Sequence, residues 1–104
     1  MKLAMLDEAA AEFDDAVEYY AQIQAKLARD LLRSFSAACD NIHINHDNHP
    51  FLETLPTELN IRRAILRRFP YMIIYKALAD EVLILAFAHT ASRPNYWMGR
   101  LRMK

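Results

Sequence analysis

Two runs of β-forming residues, Tyr71–Leu78 (YMIIYKAL) and Val82–His89 (VLILAFAH), stand three residues apart, and they restrict what this chain can fold into. Neither run alternates apolar with polar. A strand that is apolar on both sides must be covered on both faces. The Ala79-Asp80-Glu81 link is short enough for a hairpin. The pair therefore reads as the centre of an antiparallel sheet, and the rest of the chain has to supply its covers and its edges.

The first half supplies helices. Residues 2–6 suit a short first strand. Asp7 is placed to cap a helix, with Glu8 in the first turn where the helix dipole favours an acid. Phe13, Val17, Tyr20, Gln24 and Leu27 recur at helical spacing, flanked by Ala16 and Ile23, while Glu12, Asp15 and Glu18 mark the opposite face. A second stripe of Leu31, Phe35, Ala38 and Ile42, flanked by Leu32 and Cys39, follows without an intervening Gly or Pro. One unbroken helix from Asp7 to Asn45 would be roughly 58 Å long at 1.5 Å per residue. A domain of this size is only about 30 Å across. The chain is therefore expected to break between Gln24 and Ala28 into a helical hairpin.

Asn45–Glu58, with Pro50 and Pro56, reads as a loop. Leu59–Arg68 suits an edge strand on which Arg62 and Arg68 share one face and Arg63 and Arg67 the other. Pro70 then opens the first central strand, a position where its missing N–H is tolerated. The expected order is β-α-α-β-β-β. This is an α+β fold with a helical hairpin packed on one face of an antiparallel sheet, one domain over residues 1–104.

Apolar residues make up 54% of the 104, enough for one core. The lone Cys39 cannot form an internal disulfide, which fits a reducing cytoplasm, and its place on an apolar stripe reads as an inert, buried thiol. Seven charges within residues 1–20 argue against a signal peptide. The apolar runs fall well short of the roughly 20 residues that a membrane span needs. A cytoplasmic protein with no membrane attachment is expected. The net charge of zero conceals a dipole. Residues 1–58 carry four bases against eleven acids, a net of −7, and residues 59–104 carry nine bases against two acids, a net of +7. Such asymmetry suggests an acidic partner for the basic half, or pairing between the halves.

Candidate chemistry is concentrated near the sheet. Gly99 is the only glycine, which excludes glycine-rich phosphate loops. His43, His46 and His49 recur every three residues, but His49 precedes Pro50 and no Cys or carboxylate completes a zinc set, so no metal or other cofactor is expected. Arg62, Arg63, Arg67 and Arg68 offer forked donors for phosphates or carboxylates, or else protect an edge strand. The tail from His89 to Trp97 holds His89, Arg93, Tyr96 and Trp97. His89 and Tyr96 could serve acid–base work in RNA cleavage, and aromatic rings could stack on bases. Trp97 is better read as a cover for one end of the sheet.

These residues together resemble the RelE/ParE superfamily, the toxins of type II toxin–antitoxin modules, and most of all its ParE-like, plasmid-stabilisation branch. The likeness runs through Arg62-Arg63, Phe69-Pro70-Tyr71, Tyr75, Asp80, His89, and Arg93 to Trp97, with Arg93 and Pro94 adjacent here. It implies a toxin held by a cognate antitoxin whose acidic segment meets Arg62, Arg63, Arg67 and Arg68, with Arg93, Tyr96 and Trp97 as further antitoxin or target contacts. ParE-like members resemble poisons of DNA gyrase that perform no chemistry. RelE-like members are similar to ribosome-dependent mRNA endonucleases, and in that case His89, Arg93 and Tyr96 would be the catalytic candidates. Two of the three RelE-like parts are absent or displaced: Met72 stands where an arginine is usual, and Thr90-Ala91-Ser92 replaces a basic cluster. A degenerate toxin that only binds antitoxin is a third reading. The free chain as a homodimer, or in a hetero-oligomer with antitoxin, is compatible with all three.

Overall fold

A computed structural model describes residues 2–103. Strand β1 (Lys2–Met5) leads into helix α1 (Asp7–Ile23), then α2 (Ala25–Asn45), β2 (Ile61–Ile65), β3 (Tyr71–Ala77) and β4 (Glu81–His89). Short 3-10 turns occupy Thr57–Leu59 and Met98–Met103. The order β-α-α-β-β-β is the expected one, and the two helices cover one face of the sheet.

The helical break falls at Gln24, which adopts an extended conformation (φ −165°, ψ 131°) and ends α1 while starting α2. No side chain caps either helix start, and Leu6 rather than Asp7 precedes the first turn of α1. A missing cap costs about 1 kcal/mol. Leu31 and Ile42 are fully buried on α2, and each such side chain contributes about 1.5–3 kcal/mol. Burial of both stripes against one sheet thus outweighs the uncapped turn. The contact is aromatic: Phe13 stacks on Phe35 at 4.1 Å between ring centroids, and Tyr71 stacks on Phe87 at 4.7 Å.

The sheet order is β1-β4-β3-β2. β2, β3 and β4 are antiparallel, but β1 pairs with β4 in parallel, Lys2 opposite Glu81 through Met5 opposite Ile84. The sheet is mixed, not wholly antiparallel. The reason lies in the segment 46–60, which carries the chain back along the sheet before β2 begins. Leu52, Leu55 and Leu59 of that segment pack on the face opposite the helices, together with Trp97 and Leu101 of the tail. Both central strands are therefore covered on two sides. In β4 an irregularity beside Ile74/Tyr75 leaves Leu85 unmatched. Leu85 and Ala86 consequently both join the far-face cluster, while Ile84 and Phe87 join the helix-side one.

β2 is shorter than expected. It stops at Ile65, and Arg67 and Arg68 lie in the turn to β3, closed by the Leu66 amide donating to the Tyr71 carbonyl at 2.9 Å. Pro70 has no N–H for a ladder. Arg68 sits in left-handed backbone (φ 73°), so the four arginines do not alternate along one strand.

Truncations on either face test the double cover. Ile73→Ala on the helix side is expected to lower unfolding free energy by about 2–5 kcal/mol, and Trp97→Ala on the far side by about 3–5 kcal/mol, read from urea transitions. A change below about 1 kcal/mol at Trp97 would place the far-face cover outside the cooperative core.

Candidate functional site

Separation of the four arginines decides what the basic edge can do. Arg62 turns toward the helix side, donates to the His49 carbonyl at 2.6 Å and lies over the Phe51 ring at 3.8 Å. It is a structural tie between β2 and the 46–51 loop. Arg63 pairs with Glu53 at 2.9 Å. Arg68 reaches Asp30 of α2 at 3.5 Å, where Lys26 and Arg33 also converge. The Lys26 ammonium beside it, with Arg68, holds the Asp30 carboxyl below the usual range against the opposing effect of burial. Among the described residues Arg67 has no ion pair, and its side chain is exposed. The two charged halves of the sequence are thus partly matched, by Arg63–Glu53, Arg68–Asp30 and Arg100–Glu12.

Arg33, Arg67 and Arg68 rim a groove of about 700 Å³ between α2 and the end of β2, floored by Ala38, Ala64 and Phe69. Pro50–Leu52 covers only the start of the β2 edge, through the Arg63 amide to the Pro50 carbonyl at 3.1 Å and the Leu52 amide to the Ile61 carbonyl at 2.9 Å. Pairing alternates along an antiparallel ladder, so the Ile65 backbone also points outward, beyond that cover. Its side chain is 57% exposed. This stretch has the makings of a strand-docking edge.

The tail residues meet at the same end of the sheet, on its β4 side. His89, Arg93 and Tyr96 line one cleft with Glu12, Tyr71 and Phe87. Arg93 and His89 are exposed, and the Ala91 amide donates to His89 Nδ1 at 3.0 Å. Tyr96 is not free. Its hydroxyl donates to Glu12 Oε2 at 2.5 Å, and the Arg100 guanidinium grips both oxygens of that carboxylate at 2.9 Å. Burial and the Glu12 carboxylate push the Tyr96 phenol well above its ordinary range. For Glu12, burial acts upward, but the Arg100 fork, the Tyr96 hydroxyl and the Phe87 amide outweigh it and hold the carboxyl below its ordinary value.

Trp97 takes the covering role. It is 1% exposed and so offers no surface contact to an antitoxin or a target. Met72 lines a groove of about 350 Å³ on the far face, beside Ile65, Arg63 and Arg93, and itself adds no cation there. The Cys39 thiol is pushed up to about 11 by burial, with Asp40 adding to it, so it is protonated at neutral pH.

Sequence reasoning missed Glu12 and Arg100. By spacing Glu12 falls on the face of α1 opposite the apolar stripe, yet it lies three residues after Ala9 and four before Ala16, the two buried alanines of that helix. Small residues on both sides of a carboxylate at helical spacing were the available signal. Arg100 follows the Arg93–Trp97 motif, and nothing in its spacing marked it as the partner of Glu12.

With this geometry in hand, the sequence matches the family described as ParE toxin of type II toxin-antitoxin system, parDE, over residues 3–94. The chain belongs to this ParE toxin family. Among solved structures, one chain of a chromosomal ParDE toxin–antitoxin system from P. aeruginosa superposes with a TM-score of 0.71 at 18% identity, covering 86% of this chain and 95% of that one. At that identity the likeness is one of fold. No curated protein matches the sequence. Among the described residues no helix of this ParE family member is long and apolar enough to cross a membrane.

The depressed Glu12 carboxyl has a pH consequence. A carboxylate held below its unfolded value stabilises the fold above that unfolded value, and the contribution is lost as pH falls through the folded one. Wild type is therefore expected to exceed Glu12→Gln in unfolding free energy at pH about 7, with the gap shrinking toward pH about 3, in paired urea titrations. Arg68→Gly would relieve a left-handed backbone and remove the Asp30 contact. Its stability is expected within about 1 kcal/mol of wild type by the same measurement.

Proposed function

We propose that this ParE family toxin acts by binding alone: it inhibits DNA gyrase in the cytoplasm and is silenced by a cognate antitoxin. The observation that carries this reading is the state of Tyr96. A tyrosine whose hydroxyl is committed to Glu12, and whose phenol is pushed upward, is a poor proton acceptor for RNA cleavage. Met72 supplies no charge to stabilise a developing phosphorane. What the chain does offer is surface: a basic groove with an open strand edge at Ile65, and an exposed loop bearing His89 and Arg93.

The antitoxin segment suited to that edge is extended, apolar on one side and acidic on the other. Backbone bonds to Ile65 would give affinity, and Arg67, with the exposed Arg33 and Arg68 that share Asp30, would give charge complementarity. Arg62 and Arg63 are already engaged within the chain and contribute less. A mRNA endonuclease remains the second reading, because His89, Arg93 and Tyr96 do share one cleft.

Purified toxin at micromolar concentration is expected to block supercoiling by gyrase and to leave ribosome-bound mRNA uncut. No inhibition of gyrase would end the first reading. Cleavage of mRNA that disappears in His89→Ala would establish the second. A chain that does neither, yet captures the antitoxin encoded beside it, would be a degenerate toxin.

A further inference from the structure

We infer that Glu12 and Arg100 are positioning residues for the toxin's action, holding the loop that carries His89 and Arg93 in its active shape through Tyr96. The inference rests on the reading that the toxin acts through its surface, and it assigns that action to the 89–97 loop.

The pair occupies a place normally filled by a strand. β1 ends at Met5, and its last rung on β4 is the Leu6 amide donating to the Ile84 carbonyl at 3.0 Å. Beyond that rung β4 continues to His89 without a neighbour on that side. Two side chains finish the edge. Glu12 Oε1 accepts the Phe87 amide at 3.1 Å, and Arg100 Nη1 donates to the Leu85 carbonyl at 2.9 Å. The same two groups clasp each other in a two-pronged ion pair, with side chains 23% and 16% exposed. Glu12 thus joins three pieces of chain: α1, the end of β4 and the tail.

The free oxygen capacity of that carboxylate goes to the loop. Tyr96 is the only residue of the 89–97 loop tied to α1 by a described hydrogen bond. The loop's other anchors lie elsewhere: at its start the Thr90 amide on the Pro70 carbonyl at 2.8 Å, and at its end the Thr54 hydroxyl on Asn95 Oδ1 at 2.9 Å and Trp97 in the far-face core. His89 closes β4, and Arg93 stands between the anchors at Thr90 and Asn95; both are exposed and line the cleft, with Asp15 and Ser92 beside them. A loop held at both ends and braced at Tyr96 meets a target without having to be ordered first, and such preorganisation raises affinity.

Tyr96→Phe separates positioning from folding. It removes one hydroxyl and leaves the ring, the Glu12–Arg100 fork and the β4 edge in place. Amide exchange over residues 89–97, melting temperature, gyrase inhibition and growth arrest on expression would be measured for wild type, Tyr96→Phe, Glu12→Gln and Arg93→Ala. Faster exchange in the loop and at least about tenfold weaker action in Tyr96→Phe and Glu12→Gln are expected, with Tyr96→Phe melting close to wild type. Arg93→Ala should lose action with loop exchange unchanged. The inference is overturned if loop exchange does not change in Tyr96→Phe, or if the loop loosens while action stays at the wild-type level. Growth arrest without gyrase inhibition would reject the gyrase target alone, and the variants' growth phenotypes would then decide the positioning claim. A wild type inert in both assays counts against both.

Discussion

A strand that is buried on both faces must still pair every backbone group along its edges, since an unpaired buried N–H or C=O costs about 1–3 kcal/mol. β4 is such a strand: Val82 to Ala88 are all buried. β1 is too short to serve its whole length. The rest of the design follows from that shortfall. Glu12 and Arg100 complete the edge, their fork draws the tail across the sheet end, and the tail brings Trp97 over the far face. Tyr96 is caught in the same contact, which turns a residue of suitable chemistry into a brace.

On the proposed reading, that arrangement makes the end of the sheet a binding surface, although it gathers the side chains of an active site. The side chains needed for RNA cleavage come together in one cleft, as the family resemblance would suggest for a RelE-like enzyme. Their environment is what differs. Burial and the Glu12 carboxylate keep the tyrosine protonated, and Met72 adds no charge to the neighbouring groove. The basic edge is similarly reduced by its surroundings, because internal partners engage Arg62, Arg63 and Arg68. Charge remains on offer at Arg67, beside a strand edge left open at Ile65.

Much of this fold could be read from residue patterns. The two unalternated runs identified β3 and β4 and required a cover on each face. The length of an unbroken rod forced the hairpin at Gln24, although no Gly or Pro stands there. The parallel pairing of β1 was not legible, because it depends on the path of the 46–60 segment, which has no periodicity of its own. The arginine cluster was legible as charge but not as geometry: Pro70 and the left-handed Arg68 end β2 early, and neither effect is visible in an alternating pattern. Glu12 was the most costly misreading. A carboxylate on an amphipathic helix is usually solvated, and only the alanines on either side of it mark the buried stripe. Its partner lies 88 residues away, a separation across which sequence spacing carries no information.

The most direct test is a double-mutant cycle on the pair that closes the β4 edge. Unfolding free energies of wild type, Glu12→Ala, Arg100→Ala and the double variant would be measured by urea titration at neutral pH. The account predicts strong non-additivity, with a coupling of about 1 kcal/mol or more, and a double variant little worse than either single one. Additive losses, with coupling near zero, would mean that the two side chains do not act as one unit and that β4 does not depend on them.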